Sequence, residues 1–368
     1  MVEWKKIGDS CKTVTPPKKL EKELYGVNGA YPIIDQGQKD IVGYTYDESS
    51  LLPNDEYVLF GDHTRYVKYF KGRFAQGADG LKILKAVAGI LPRYLFFSLE
   101  NVDVPSRGYS RHWSIAKELL IPIPSLSEQT RIVGILDTFT ASIENLKEQI
   151  AQRRKQYEYY RDQLLDLEGK ETNEVLSFGN DFQLKARIGW QGLTKKEYKE
   201  TGDYKLVTGT DFTRNLRIDF DNCVYVDKER YEQDEYIKLK VGDVLITKDG
   251  TLGKVAYIDY LEMPATLNGG VFVVRDPKNR ITPKFIMYYL TSNNFKKWMQ
   301  QNHTTGSIQH LTQKLLSSFT IPLLPDQDQQ RIVTILDAFE SSIRNLEAQL
   351  SQREKQYEYY RNKLLTFE

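Results

Sequence analysis

The chain has 368 residues, 51 Lys+Arg against 50 Asp+Glu, a formal net charge of +1, and 40% hydrophobic and 27% charged residues. Near-neutrality excludes a polycation that holds nucleic acid by bulk charge, and the apolar content excludes a disordered chain. The length allows two or three domains with real cores.

In chain order, residues 1–120 show short apolar runs separated by Gly, Asp and Asn. Tyr57-Val-Leu-Phe60 and Tyr66-Val-Lys-Tyr-Phe70 predict strands, and a helix is predicted from Arg93 to Glu100. Residues 121–168 then read as one long helix. Apolar side chains fall at Ile132, Leu136, Phe139, Ile143, Leu146 and Ile150 and continue through Tyr157, Tyr160, Leu164 and Leu167. Steps of four and three sustained over about five heptads predict a coiled-coil seam, broken once by Arg153. Ser125-Leu-Ser-Glu128 has capping-box spacing at its start.

Residues 169–320 return to the first style. Val244-Leu-Ile-Thr247, Lys254-Val-Ala-Tyr-Ile258 and Val271-Phe-Val-Val274 predict strands, and Asp249-Gly250 between the first two is a hairpin signal. A helix is predicted from Pro283 to Gln300. Residues 321–368 repeat 121–168 at an offset of 200 without a gap, with 27 of 48 positions identical. The block Lys155-Gln-Tyr-Glu-Tyr-Tyr-Arg161 returns at Lys355–Arg361. The second seam is Ile332, Leu336, Phe339, Ile343, Leu346, Leu350, Tyr357 and Tyr360, broken by Arg353, and Asp326-Gln-Asp-Gln329 is its expected cap. The spacing from 132 to 167 makes each helix roughly 50–55 Å long at about 1.5 Å per residue.

A lone helix of this kind pairs as readily between chains as within one. Two copies in one chain favour intramolecular pairing, with an approximate two-fold axis between the halves. The expected fold is therefore α/β (α+β): two globular domains, 1–120 and 169–320, joined by two helical repeats, 121–168 and 321–368, packed on each other as an intramolecular coiled coil. The globular segments share little text beyond a weak echo of Gly108-Tyr-Ser-Arg-His112 in Gly306-Ser-Ile-Gln-His310. They carry the basic surplus, net +2 and +3, whereas each helical repeat is net −2. Phosphate contacts therefore belong to the globular segments.

No catalytic motif survives inspection. Asp249-Gly-Thr-Leu-Gly-Lys254 lacks the spacing and following hydroxyl of a phosphate loop, and Asp62-His63-Thr-Arg65 mimics a catalytic pair without a nucleophile. The four histidines are too scattered for a metal cluster. Cys11 and Cys223 lie far apart with no ligand-spaced neighbour, so neither a disulfide framework nor a zinc site is expected. The start lacks a signal-peptide run, and Ala86–Leu99 is too short to span a bilayer. A cytoplasmic location with no membrane partner is expected.

The positive signal is cations interleaved with aromatics and hydroxyls. The candidate DNA-contacting residues are Arg65, Lys68, Lys71, Arg73, Arg107, Arg111 and His112 in the first segment. In the second they are Lys185, Arg187, Thr208, Thr210, Arg214, Lys248, Thr304, Thr305, Ser307 and Gln309. Arg reads guanine edges, Gln reads adenine, and Ser, Thr and Lys position the backbone. Taken singly, each such residue also fits a solvated loop face, and a partly buried structural role is the competing reading for His112.

The order of parts resembles the DNA-specificity (S) subunit of type I restriction-modification systems over nearly the whole chain. The resemblance is carried by Ile121-Pro-Ile-Pro…Glu128-Gln-Thr-Arg-Ile-Val133, by Ile321-Pro…Gln330-Arg-Ile-Val333, and by Ala186-Arg-Ile-Gly-Trp-Gln-Gly-Leu193. Thr208-Gly-Thr-Asp-Phe212, Gly242–Lys254, Gly61-Asp-His-Thr-Arg65 and Tyr109-Ser-Arg-His-Trp113 add to it. The second cap, Asp326-Gln-Asp-Gln, departs from the family's usual Glu-Gln. The resemblance implies two target-recognition domains, each reading half of a split, asymmetric site in double-stranded DNA, and a rigid spacer of two antiparallel helices that docks two modification (methyltransferase) subunits. Restriction subunits, with translocase and nuclease activity, would join them. S-adenosylmethionine, ATP and Mg would sit on those partners, and this chain would be non-catalytic with no cofactor of its own. The competing classes are a stand-alone DNA methyltransferase or nuclease, and a coiled-coil scaffold with no DNA role.

Overall fold

Strands form where apolar runs face two cores at once. The computed structural model describes residues 2–108, 110–167, 174–187, 189–302 and 311–367. It divides into two compact units, Met1–Lys147 with Gln349–Glu368, and Glu148–Ala348. In chain order the first contains β1 (Glu3–Lys6), α1 (Ile7–Ser10), β2 (Cys11–Val14), β3 (Tyr31–Ile34), β4 (Gly43–Thr45) and β5 (Asp55–Gly61). There follow β6 (Val67–Gly72), β7 (Ala75–Gln76), β8 (Leu81–Ala86), α2 (Pro92–Asn101), α3 (Trp113–Ala116), β9 (Leu120–Ile123) and the start of α4 (Leu126–Leu165). A four-stranded antiparallel sheet runs β2-β8-β5-β6, and a three-stranded sheet runs β4-β3-β7 with β3 and β7 parallel. β5 explains the continuous run at 57–60. Val58 and Phe60 enter the core under α2, while Tyr57 and Leu59 enter a second core with Phe74 and Ile83. A strand covered on both faces need not alternate.

The second unit repeats this plan in different words. After α4 come β10 (Val175–Ser177), β11 (Gln183–Lys185), β12 (Lys205–Val207), β13 (Val224–Tyr225), α5 (Lys228–Glu232), β14 (Val244–Thr247), β15 (Val255–Tyr257), β16 (Ala265–Leu267) and β17 (Val271–Arg275). The remainder is α6 (Pro283–Tyr289), α7 (Asn293–Gln301), α8 (Gln313–Ser317), β18 (Thr320–Pro322) and α9 (Asp326–Leu365). Its sheets run β11-β17-β14-β15 and β13-β12-β16, again with one parallel pair, β12 and β16. In each unit a two-stranded sheet, β1-β9 or β10-β18, ties the start of the module to its end. The expected fold class, two mixed α+β modules with two long helices, is what the chain forms.

The predicted helix 283–300 is two helices. Thr291 Oγ1 and Ser292 Oγ bond the carbonyls of Tyr288 and Tyr289, both at 2.7 Å, and this local competition ends α6 before α7 begins. The expected capping boxes are also revised. Ser125 Oγ accepts from the Glu128 amide at 3.3 Å, but the Glu128 carboxylate turns to Arg131 at 2.6 Å instead of reaching back. Asp326 already lies inside α9.

The two long helices, 40 residues each, contribute to both units. In the first unit, residues 126–147 of α4 meet residues 349–365 of α9 in opposite directions. Ile132 and Leu136 pack in one core with Tyr357, Leu364 and Leu365, and Phe139 stacks on Tyr360 at 5.3 Å. In the second unit the roles exchange: Ile332 and Leu336 share a core with Tyr157 and Leu165, and Phe339 stacks on Tyr160 at 5.4 Å. Tyr160 and Tyr360 are exposed on one side and so border the seam, while Ile143, Leu146 and Ile343 are buried and Ile150, Leu346 and Leu350 half-buried. The two cations that interrupt the heptads have a place there. Arg353 lies over the Phe139 ring at 5.6 Å, and Arg153 over Phe339 at 5.9 Å. Each charge is held by the other repeat's aromatic face. Among the described residues no helix is long and apolar enough to cross a membrane.

Candidate nucleic-acid interface

Each module fixes its helical support through one buried glutamine. Gln129 accepts from the Leu91 amide at the start of α2 at 2.9 Å and donates to the carbonyls of Gly89 and Pro124, both at 2.9 Å. Gln329 does the same with the Thr282 amide (2.7 Å) and the carbonyls of Arg280 (3.2 Å) and Leu324 (2.8 Å). Ion pairs follow from the second residue of each module helix: Arg93 to Asp137 at 2.7 Å and Lys284 to Asp337 at 2.6 Å. The starts of α2 and α6 are thereby fixed on the long helices.

In the first unit Asp62, just past β5, organises those loops. Its amide donates to Gly80 O at 2.6 Å, its carbonyl accepts from the His112 amide at 2.8 Å, and its carboxylate accepts from the Trp113 amide at 2.8 Å. His112 Nδ1 lies 3.0 Å from Asp62 O, and its Nε2 accepts from the Arg107 amide at 3.1 Å. An amide can only donate and a carbonyl only accept, so Nδ1 carries the proton. Gln36 takes the His63 amide at 3.1 Å and donates to Asp79 O at 3.1 Å. Gly61 is required here, because a Cβ would lie 2.8 Å from the Gln36 carbonyl and 2.1 Å from Thr64 Oγ1. The apparent catalytic pair Asp62-His63 is thus loop architecture.

Around this scaffold Arg65, Arg107 and Arg111 are exposed, Arg65 held at a φ of 63° by a bond from its guanidinium to Val104 O at 2.9 Å. Lys68 is not presented. It is buried with its ammonium on the carbonyls of Asp35 (3.0 Å) and Lys39, and burial pushes it below the usual lysine range. His112 is equally enclosed. Lys71 and Arg73 lie at the other end of the β5–β6 ladder, Lys71 on Glu56 at 2.8 Å and Arg73 over Tyr31 at 5.0 Å, and do not join the cluster.

The second unit makes the same frame from other residues. The Lys248 amide donates to Gly270 O at 2.9 Å and its carbonyl accepts from the Leu311 amide at 3.0 Å, the two backbone bonds that Asp62 makes. Leu311, one residue past His310, makes the bond that His112 makes. The Lys248 ammonium sits 5.2 Å from the Phe272 ring. Thr208 and Thr210 present hydroxyls 2.7 Å apart on a turn closed by Asp211, whose Oδ2 accepts from the Thr208 amide at 2.7 Å. Burial raises the Asp211 carboxyl above the usual carboxylate range. Arg214 and Lys185 are exposed, Lys185 beside Tyr236 at 5.2 Å.

Arg187 is buried and fully engaged. It donates to Leu267 O (2.9 Å), Gln233 Oε1 (2.7 Å), Arg230 O (2.9 Å), Gln191 O (3.3 Å) and Thr266 Oγ1 (3.3 Å), and burial lowers its pKa. It ties β16 to α5 and the neighbouring loops, with no donor left for nucleic acid. Thr304, Thr305, Ser307 and Gln309 lie outside the described residues, as do His303 and His310. Sequence reasoning missed Gln129 and Gln329, whose signal was their exact 200-residue correspondence. It also missed Lys254, Lys296 and Arg161, which share a cleft considered below.

The resulting surfaces offer cations, hydroxyls and amide groups on rigid loops, a set suited to phosphates and base edges. Among the described residues no His/Cys/Asp/Glu group is placed to hold a metal ion. A family profile described as "Type I restriction modification DNA specificity domain" matches residues 1–153 and 191–354. The chain is 29% identical over 391 residues to the type I restriction enzyme EcoR124I/EcoR124II specificity subunit of Escherichia coli, covering 100% of this chain and 94% of that one. Its fold matches the crystal structure of a type I restriction-modification S subunit from M. genitalium with a TM-score of 0.65 at 19% identity, over 100% of this chain and 97% of the other. A chain from a study of complex assembly in a type I R-M system matches at 0.58 and 16% identity, over 99% and 97%. The duplicated modules, the paired repeats and the profile match together place the chain in the type I restriction-modification DNA-specificity family.

Proposed function

We propose that this chain is the non-catalytic reader of a type I restriction-modification complex. Each module reads one half of a bipartite, asymmetric site in double-stranded DNA, and α4 and α9 hold the modules apart while docking two modification subunits. S-adenosylmethionine belongs to those subunits, ATP and Mg to restriction subunits that join them, and the complex works in the cytoplasm, where the genome lies. The observation that carries this reading is that two modules of one topology present different side chains from equivalent loops. Like frames with unlike loops suit two different half-sites, and nearly identical helix pairs suit two copies of one partner. Mapping methylated adenines in DNA from cells carrying the complete system tests it. One bipartite sequence is expected, and exchanging residues 1–120 for another module should change one half only. A change in both halves, or methyl transfer by the purified chain alone, refutes it.

A further inference from the structure

Four cations from four separate segments of the second unit face one cleft of about 580 Å³: Arg161 on α4, Arg214 on the turn after β12, Lys254 on the β14–β15 connection and Lys296 on α7. Arg161 is buried and paired with Asp162 at 2.9 Å. Among the described residues no carboxylate lines the cleft or pairs Arg214, Lys254 or Lys296. Leu216, Leu252, Phe295 and Met299 supply apolar wall. Gathering Arg214, Lys254 and Lys296 around one cleft without a counter-charge opposes folding, so the arrangement calls for an anion.

The corresponding place in the first unit is built the other way. Its cleft is lined by Arg65 with Glu100 and Asp103. Glu100 accepts from Tyr357 Oη at 2.6 Å and lies 3.6 Å from Arg361, the counterpart of Arg161. Eight residues after the first proline of the helix, α2 carries Glu100 where α6 leads to Thr291. In the second cleft Arg161 pairs instead with its chain neighbour Asp162, and with Thr291 in place of a carboxylate Arg214, Lys254 and Lys296 stay open to an anion.

We propose that this cleft seats a backbone phosphodiester of the DNA duplex, an anchor that the second unit has and the first lacks. The inference rests on the DNA-reading role proposed above. Three cations on flexible or exposed stems suit a phosphate oxygen cluster, and the apolar wall suits the adjoining deoxyribose. The cleft is continuous with the candidate reading surface, because the loops that carry Thr208, Thr210 and Lys248 also supply Arg214 and Lys254.

The test compares the wild type with Arg214→Gln/Lys254→Gln/Lys296→Gln, on the assembly recovered with a tagged copy of the full chain. Duplex affinity is measured by fluorescence anisotropy at several salt concentrations, on the methylated sequence and on a random duplex. The slope of log K against log salt should fall by about 0.9, the share of one neutralised phosphate, and affinity at about 0.15 M salt by about 5-fold on both duplexes. The methylated sequence should not change, and Lys297→Gln, on the same helix outside the cleft lining, should keep the slope. If the triple variant fails to fold, the exposed Lys296→Gln alone should lower the slope in the same direction, by up to about 0.9. An unaltered slope in a folded variant overturns the proposal, as does a loss confined to the specific duplex or an equal effect of Lys297→Gln. Calorimetric binding of inorganic phosphate that the triple variant loses, with the DNA slope unmoved, would assign the cleft to a small phosphate ligand instead. Failure of the wild type to bind either duplex would retire the DNA-reading role itself.

Discussion

Replacing Gln129 by Ala tests whether a single side chain fastens the first module to its helix. The amide group satisfies one backbone N–H and two backbone carbonyls in a place with no solvent access, at 2.9 Å each. Truncation leaves all three without partners. At about 1–1.5 kcal/mol for each net hydrogen bond, the expected loss is about 3–4.5 kcal/mol, a large share of a typical domain's stability. Urea unfolding followed by tryptophan fluorescence measures it as a lower midpoint at constant m-value. Gln129→Glu sharpens the test, because a carboxylate accepts the Leu91 amide but opposes two carbonyl oxygens. It should cost at least as much as Ala at neutral pH. Burial against carbonyls raises the folded pKa of that carboxyl, so the penalty is present above the unfolded value of about 4.3 and relieved below it. A loss under about 0.5 kcal/mol for Ala, or wild-type stability for Glu, would show that the helix start is held by something else.

Two further outcomes follow from buried charge. Arg187→Met removes five donors from carbonyl and side-chain acceptors in the second module and should cost about 3–5 kcal/mol by urea unfolding, with Arg187→Lys recovering little because one ammonium cannot reach the same fork. Glu340 is buried beside Tyr157, Arg344, Arg154 and Arg217, and burial raises its pKa from 4.5. The native state therefore holds its proton longer than the unfolded chain, and stability falls as pH rises from about 4.5 through the folded value. Glu340→Gln should flatten that fall in a pH series of thermal midpoints; an unchanged slope would mean that the carboxyl is not the group responsible.

The repeated helices were legible because their signal is periodic and doubled: every seam position recurs 200 residues later. Strands such as β5 and β14 were legible as apolar runs. The modules' shared topology was not, because backbone pairing leaves little trace in text. Asp62 and Lys248 make equivalent backbone bonds with unrelated side chains. The candidate site was legible only in kind. Lys68, His112 and Arg187 look like contacts in sequence, yet their donors are turned inward to carbonyls. Whether a cation reaches solvent is decided by segments far away in sequence, Asp35–Lys39 for Lys68 and the end of α5 at Arg230–Gln233 for Arg187.

Where the two repeats differ, one difference bears on why each pairs with the other. In the second unit Arg154 forms an ion pair with Glu347, which also accepts from Asn215 Nδ2 at 3.1 Å. The corresponding positions of the opposite repeats hold Glu354 and Lys147, with both signs inverted. A first repeat packed against a copy of itself would set Arg154 against Lys147, and a second repeat against itself Glu354 against Glu347. Like charges would meet in either case, so the inversion favours the mixed pair over self-pairing between chains. The pair is about one-third exposed, so its worth is about 0.5–1 kcal/mol, with a penalty of similar size for the like-charged arrangement. Glu347→Arg should therefore cost about 1–2 kcal/mol by urea unfolding. Adding Arg154→Glu should recover most of it, the shortfall being the lost bond from Asn215. If the charge-swapped double variant is no more stable than the single one, the inverted signs are not what selects the partner, and the apolar seam with its stacked Phe–Tyr pairs must suffice alone.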